Sequence, residues 1–314
     1  MSTRAAVTTF LPRSEEVIAA TREWERGRRS REDVDALYAR WTQTVLQFER
    51  EQGFAWRTGG HLAWQDLLRP LVESSDGIVP GALTRWFETN SFYRRPVVEK
   101  LPSLDAGKIS RMVPSADPDL TVILPGPWTF TGLSENRTGQ GESAVARSLA
   151  RYLREAVDAL SRAGVKRFLL HEPLLAYTGE APEDELRELY RVVTGGRPPS
   201  EFLLWTYFGN GTWLLPEAPK LGVSLVGVDL SETPLQDLTG SALPPGSSIG
   251  LGCIDPRTSL TEDPKDLDRL VKDVEAALHP GTLLLGPAAP MDLLPWDTAR
   301  EKLAVLRPFA GGTS

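Results

Sequence analysis

Two short steps in the chain set ionisable residues within two positions of each other, each directly after an apolar run. His171–Glu172 follows Phe168–Leu170. A carboxylate there can hold a substrate amine or move a proton, and an imidazole beside it titrates near neutrality. The same step also suits a buried Glu bonded to backbone or a neighbouring Arg, with His171 turned outward. Asp255 and Arg257 stand two apart across Pro256, so an extended segment turns both to one side. Arg257 then offers a planar fork to a carboxylate or phosphate with Asp255 orienting it, or the two merely shape their loop. Arg13–Ser14 precedes Glu15–Glu16. With Ser14 as N-cap the helix start and Arg13 form an anion site, or Ser14 caps and nothing more.

The segment Thr84–Tyr93, TRWFETNSFY, gathers four aromatic rings, Trp86 among them, with Arg85, Glu88 and Asn90. Exposed, it would stack a flat heterocycle or form a partner surface; buried, it anchors its neighbourhood. Metal chemistry has few donors to draw on. The nitrogen and sulfur ligands are His61, His171, His279 and Cys253. His279 precedes Pro280 at a helix end, and Cys253 lies in an apolar run where a small buried hydrophobe is the usual role. That leaves His61 and His171, strand-end histidines from different loops, which with a carboxylate make the one remaining set; the expectation is no metal site. No G-x-S-x-G occurs, and Cys253 lacks an evident base.

These residues must be positioned by recurring elements. Apolar runs occur at Ala5–Phe10, Gly53–Thr58, Leu120–Leu124, Val165–Leu170, Phe202–Tyr207, Val223–Leu230, Ser248–Ile254 and Thr282–Leu285, with amphipathic segments such as Ser143–Ala163 and Asp263–Leu278 between them. Alternating strand and helix predicts a parallel sheet under right-handed crossovers. Eight units predict an α/β fold of the (β/α)8 TIM-barrel type as a single domain, 1–314. The absence of G-x-G-x-x-G and of G-x-x-x-x-G-K-[ST] removes the best reason to prefer an open sheet. Glu15–Arg28 and Arg31–Glu51 read as an N-terminal helical hairpin joined at Gly27–Ser30. An insertion is expected around residues 67–119, a lid or an interface, with Lys108–Val113 its one candidate strand. In such a barrel ligands bind where strands finish. That rule nominates Pro12–Ser14, Gly59–His61, Pro125–Pro127, His171–Pro173, Tyr207–Gly209, Asp229, Asp255–Arg257 and Gly286–Pro290.

Composition narrows the function classes. The 314 residues carry a net charge of −7, with 25% charged and 41% hydrophobic. An acidic balance with one short basic cluster, Arg26–Arg31, argues against nucleic acid, whose affinity rests on phosphate neutralisation. No apolar stretch is long enough to span a membrane, and Met1–Phe10 does not read as a secretory signal. One cysteine allows no internal disulfide and fits a reducing compartment. The expectation is a cytoplasmic protein with a small-molecule ligand.

Across nearly all 314 residues the strand ends resemble the cobalamin-independent methionine synthases, whose long chain carries two related barrels. The resemblance is carried by FLPRSEEV (10–17), TRWFETNSFY (84–93), VILPGPWTF (122–130), FLLHEPLL (168–175), LLWTYFG (203–209), LVGVDL (225–230), GLGCIDPRT (250–258) and GPAAPMDLLP (286–295). It is closest to the N-terminal barrel, the one without metal. In the family's catalytic barrel a His-x-Cys, a Glu and a later Cys hold zinc, which turns homocysteine into a thiolate. Here Tyr207 and Gly209 stand at the His-x-Cys, Asp229 at the Glu, and Pro287–Ala289 contains no Cys. An Asp-Glu pair contacts the amino acid in that barrel, and His171–Glu172 keeps only the Glu.

The resemblance implies a diverged methyltransferase that binds 5-methyltetrahydrofolate and passes its methyl group to an acceptor not activated by zinc. Glu172, His171 and Asp229 would be its catalytic groups. Arg13, Ser14, Trp86, Asn90, His61, Tyr207, Asp255 and Arg257 would bind substrate. A second reading is a non-catalytic subunit that pairs with a separate zinc-bearing barrel. A third is a decarboxylase or lyase like the uroporphyrinogen decarboxylase barrels, with Arg257 and Arg13 holding carboxylates.

Overall fold

The computed structural model describes residues 2–113, 119–241, 243–244 and 246–311. Among them ten strands form: β1 (Ser2–Ala5), β2 (Ser75–Arg85), β3 (Phe92–Leu104), β4 (Thr121–Pro125), β5 (Glu135–Asn136), β6 (Arg167–His171), β7 (Phe202–Trp205), β8 (Val226–Asp229), β9 (Ser248–Ile254) and β10 (Thr282–Pro287). Seven make one parallel sheet in the order β1-β10-β9-β8-β7-β6-β4. Every residue of β4, β7 and β8 is buried, as parallel strands under helices must be.

The two edges of that sheet meet through the run expected as the second strand. Only its centre, Ala55–Arg57, does the work. Ala55 N–H donates to Ala5 O at 2.8 Å, and Val7 N–H to Trp56 O at 3.3 Å. On the other side Thr121 N–H donates to Arg57 O at 2.7 Å, beside a parallel bridge from Arg57 to Leu120. The barrel therefore closes as a (β/α)8 ring whose eighth member is three residues long. Strand β1 ends earlier than its apolar run, because from Ala6 onward the chain shares its hydrogen bonds between Leu285 and Trp56.

The helices follow their apolar stripes. Glu142–Arg162 buries Leu149, Tyr152, Leu153, Ala156, Val157 and Leu160, which recur at spacings of three and four. Pro264–Leu278 starts where Asp263 accepts from Lys265 N–H at 2.8 Å. The helical hairpin is Glu15–Glu25 and Arg31–Glu51, capped by Ser14 on Val17 N–H (3.2 Å) and by Ser30 on Asp33 N–H (3.1 Å). None of the described helices is long and apolar enough to cross a membrane.

The insertion departs from expectation. Lys108–Val113 is not a strand, because Asp105 caps a helix, Ala106–Arg111, by accepting from Lys108 N–H at 3.0 Å. The strands lie earlier, in the long antiparallel hairpin β2–β3, with β5 joined parallel to β3. Gly77, Pro80 and Gly81 interrupt the alternation of β2, and two register shifts accompany them.

A close packing constraint sits at the centre of the sheet. The Trp205 ring, fully buried, spreads across Gly227 and Gly250 on the two following strands. A Cβ at Gly227 would stand 2.1 Å from that ring, and one at Gly250 2.5 Å. Gly227→Ala is therefore expected to cost about 2 kcal/mol or more, as overpacking does. Trp205→Leu in the same chain should recover part of that loss. Urea denaturation of the single and double variants checks this, and an unchanged midpoint for Gly227→Ala refutes it.

Candidate functional site

The C-terminal ends of the strands surround a cavity of about 390 Å³. Phe10 and Arg13 enter it from the segment after β1, Gln65 and Asp66 from the loop after Ala55–Arg57, and Tyr207 and Phe208 from the end of β7. Pro256 and Arg257 follow β9, and Ala289, Pro290, Asp292 and Leu293 follow β10. The tip of the β2–β3 hairpin bends over this mouth and contributes Trp86, Thr89, Ser91, Phe92 and Tyr93. Backbone and hydroxyl bonds hold the tip: Trp86 N–H to Ser91 O at 2.9 Å, and Thr89 Oγ1 to Trp86 O at 2.7 Å. Phe87 fixes it to the barrel, with its ring 5.3 Å from Phe208 and 5.1 Å from Tyr177.

Charge inside the cavity is mixed. Arg257 donates to Asp229 Oδ2 at 2.6 Å and to Asp255 Oδ1 at 3.1 Å, lies 3.5 Å from Glu232, and stands over the Phe208 ring at 5.7 Å. Asp229 is fully buried and also accepts from the N–H groups of Phe208 (3.3 Å) and Ser231 (2.9 Å). Arg13 reaches only the Tyr38 hydroxyl, at 3.5 Å, and forms no ion pair among the described residues. Asp66 Oδ1 accepts from Leu68 and Arg69 N–H, both at 2.8 Å. Loss of hydration raises the pKa of Asp66, and does the same to Asp292, where Arg13 opposes it.

Of the residues nominated from sequence, Arg13, Trp86, Tyr207 and Arg257 share this cavity. Asp229 and Asp255 stand behind Arg257 rather than in the lining. Ser14 caps its helix, and Asn90 is exposed outside the cavity. The remaining three are occupied elsewhere. Glu172 is fully buried, and its carboxylate accepts from Trp128 N–H (3.0 Å), Thr129 N–H (2.7 Å) and the Tyr190 hydroxyl (3.3 Å). It ties the end of β6 to the helix Pro127–Gly132 and packs so closely that a Cβ at Gly126 would lie 2.1 Å from it. His171 does not titrate near neutrality, because burial pushes its pKa down to about 4. A carbonyl only accepts, so Nε2 carries the proton donated to Thr8 O at 2.9 Å, and Nδ1 accepts from the Tyr207 hydroxyl at 3.3 Å. His61 Nε2 accepts from Ile123 N–H at 3.0 Å, continuing the ladder of β4 where the three-residue eighth member has ended. Cys253 is half-buried, its thiol pushed up to about 12 by burial, which leaves no thiolate to react. Among the described residues no group of three or more His, Cys, Asp and Glu is placed to hold a metal ion.

Residues 72–279 match the family described as "Cobalamin-independent synthase, N-terminal domain". The chain belongs to this family. The 5-methyltetrahydropteroyltriglutamate–homocysteine methyltransferases of Bacillus thuringiensis (strain Al Hakam) and Bacillus cereus (strain AH820) are each 23% identical to it over 248 residues, 76% of this chain and 32% of theirs. The chain thus spans about a third of the length of the curated relatives it matches. Among solved structures, a B12-independent methionine synthase from Shewanella sp. W3-18-1 in complex with selenomethionine superposes with a TM-score of 0.75 at 16% identity, covering 98% of this chain and 96% of that one. A putative vitamin-B12-independent methionine synthase from Listeria monocytogenes gives 0.72 at 12% identity, covering 98% and 97%. These two likenesses establish the shared barrel fold.

Within this family member, Gln65, Asp66, Asp292 and Leu293 are cavity residues that sequence reasoning missed. Asp292 stood inside a segment that resembles the family, yet it lies beyond the strand end used to nominate candidates. Asp66 follows a loop whose length hid its return to the mouth.

Four buried groups together set an unusual pH profile. Burial raises Glu49 and Glu172 from 4.5 to about 7, and lowers His61 and His171 from 6.5 to about 3 and about 4. As pH rises from 4.5 to about 7 the unfolded chain releases carboxylate protons that the folded chain keeps, which erodes stability. As pH falls from 6.5 the unfolded chain takes up imidazole protons that the folded chain refuses, which also erodes it. The two slopes oppose each other between 4.5 and 6.5, so stability should be greatest there and decline on either side. Glu172→Gln should flatten the decline above pH 6.5. Melting temperatures from pH 3 to 9 test this, and a steady rise from pH 5 to 8 would contradict it.

Proposed function

We propose that the mouth cavity binds a reduced pterin methyl donor of the 5-methyltetrahydrofolate type, and that the barrel is a methyltransferase whose acceptor is not activated by zinc. The observation that carries this reading is the convergence of Arg13, Trp86, Tyr207, Phe208, Asp66 and Asp292 on one cavity of about 390 Å³. That volume falls in the range of small-molecule sites, roughly 300–1,000 Å³. Aromatic walls suit a flat heterocycle. A carboxylate suits the paired N–H groups on an aminopyrimidine edge, and Arg13, without an ion pair among the described residues, suits a glutamate-tail carboxylate.

The donor set does not fit zinc. Tyr207 and Gly209 stand where the resembling catalytic barrel has His and Cys, Asp229 is engaged by Arg257, and the Cys253 thiol is held protonated. The acceptor must then be nucleophilic without metal, and the barrel's part is to orient it and supply a proton. In the transfer the methyl–N5 bond breaks, its electron pair stays on the pterin nitrogen, and the acceptor's lone pair forms the new bond. The nitrogen leaves well only when protonated. Glu172 and His171 are enclosed by their own hydrogen bonds, so neither supports that role. Asp292 opens onto the cavity with a raised pKa and is the acid this reading assigns.

Titration calorimetry of the full chain with 5-methyltetrahydrofolate tests the reading. Binding in the micromolar range is expected, with Arg13→Ala weakening it about tenfold, as loss of a charge-assisted contact does. No heat up to millimolar ligand would remove it.

A second reading, a subunit pairing with a separate zinc-bearing barrel, is favoured by one further observation. Leu83, Phe92, Leu260 and Leu293, at 64%, 53%, 75% and 71% exposure, lie on the hairpin and on the loops at the mouth. Co-expression with a short zinc-bearing homologue should then give a single complex on gel filtration; separate peaks would count against pairing.

A further inference from the structure

A buried cation lies behind the cavity wall and takes no part in the chemistry described so far. Lys302, on the helix Trp296–Ala304, is fully enclosed, at 0% exposure. Its Nζ donates to Glu262 Oε1 at 2.8 Å and to the Leu260 carbonyl. The same Glu262 oxygen accepts from the N–H of Asp255 at 2.9 Å. Asp255 Oδ1 in turn accepts from the Arg257 N–H at 3.0 Å and from its guanidinium at 3.1 Å. The links thus run from a buried ammonium to the guanidinium on the cavity wall.

A buried ion pair is a weak source of stability, because desolvating both charges offsets most of their attraction. It does fix a position. The loop after β9 is otherwise open, with Leu260 at 75% exposure, and Glu262 is its inward-facing anchor. Glu262 depends on Lys302, since its other oxygen, Oε2, is buried with no hydrogen-bond partner. Without the ammonium, Glu262 would hold an unneutralised charge in a largely buried site and would turn out to solvent, releasing the Asp255 N–H.

We propose that Lys302 is a positioning residue: through Glu262 and Asp255 it sets the loop that aims Arg257 at whatever occupies the mouth cavity. The ligand-binding consequence rests on the function proposed above; the effect on Arg257 itself does not. Asp229 grips the guanidinium from the strand below, but it does not determine where the loop carries the Arg257 backbone.

Two readouts on the full chain separate these. Phenylglyoxal modification of Arg257, followed by peptide mass spectrometry, reports its shielding without any ligand. Lys302→Met should raise that rate about fivefold, and Lys302→Arg should restore it to within about twofold, since a guanidinium can still reach Glu262. Glu262→Gln, which keeps volume and removes charge, should raise the rate likewise and serves if Lys302→Met does not fold. Affinity for 5-methyltetrahydrofolate should fall about tenfold in Lys302→Met, but not further in an Arg257→Ala background, because coupled residues do not add. An unchanged Arg257 rate in folded Lys302→Met and Glu262→Gln would overturn the proposal, as would an equal affinity loss with and without Arg257. If the unaltered chain binds no 5-methyltetrahydrofolate, the pterin reading fails while the modification rates still decide the role of Lys302.

Discussion

Ring closure at its weakest point is the constraint on which the rest of the molecule depends. Seven parallel strands leave two edges, β1 and β4, whose backbone groups must be paired if they are buried. Ala55–Arg57 satisfies part of each edge, and side chains extend the closure beyond it. His61 takes the Ile123 N–H, and the Glu49 carboxylate holds the following turn through Thr58 N–H and hydroxyl (both 3.3 Å) and Gly59 N–H (3.0 Å). Only a closed ring brings Arg13, which follows β1, into one cavity with Asp66, which follows the eighth member, and with Tyr207 from across the barrel. His61, nominated from the sequence as a substrate-binding residue, is part of that closure, as is Glu49, which the sequence did not single out.

Surroundings, rather than residue type, divide the acids of the mouth into different jobs. Glu172 meets three donors and no solvent, so it serves as a joint between β6 and its neighbouring helix. Asp229 meets a guanidinium and two backbone N–H groups, so it is an anchor. Asp292 has only its own backbone N–H and the more distant charge of Arg13 to favour the ionised form, and it opens onto the cavity. A proton-transferring group needs exposure to the reacting atom and a spare lone pair. By that criterion the carboxylates nearest the strand ends are the least free, and the one a few residues further along its loop is the most free.

The barrel was legible because burial writes itself as periodicity. Runs such as Thr121–Pro125 and Phe202–Trp205 are apolar throughout, and the helix Glu142–Arg162 keeps its stripe over five turns. The hairpin was not legible, since β2 is largely exposed and is broken by Gly77, Pro80 and Gly81, leaving no alternation to read. For the site, sequence adjacency misled at His171–Glu172: consecutive strand-end residues point in different directions, and what each meets is set by β1, β7 and the helix after β4. Arg13, Trp86, Tyr207 and Arg257 were reachable because they follow recognised strands or sit in an aromatic cluster. Gln65 and Asp66 were not, because their loop returns to the mouth with no compositional mark.

The two arginines of the cavity illustrate how far a charge must be uncommitted to recognise a ligand. Arg257 carries one positive charge against Asp229, Asp255 and Glu232, all within 3.5 Å. An anion approaching it meets a surround that is already negative, so its remaining donors suit a neutral acceptor, and its face is taken by the Phe208 ring. Arg13 forms no ion pair among the described residues; it donates to the Tyr38 hydroxyl at 3.5 Å and feels Asp292 only at longer range. A carboxylate entering the mouth therefore gains attraction at Arg13 and shape at Arg257. Under the proposed function, that asymmetry would orient a ligand with one charged end and one flat, hydrogen-bonding end, which a uniformly basic pocket would not do.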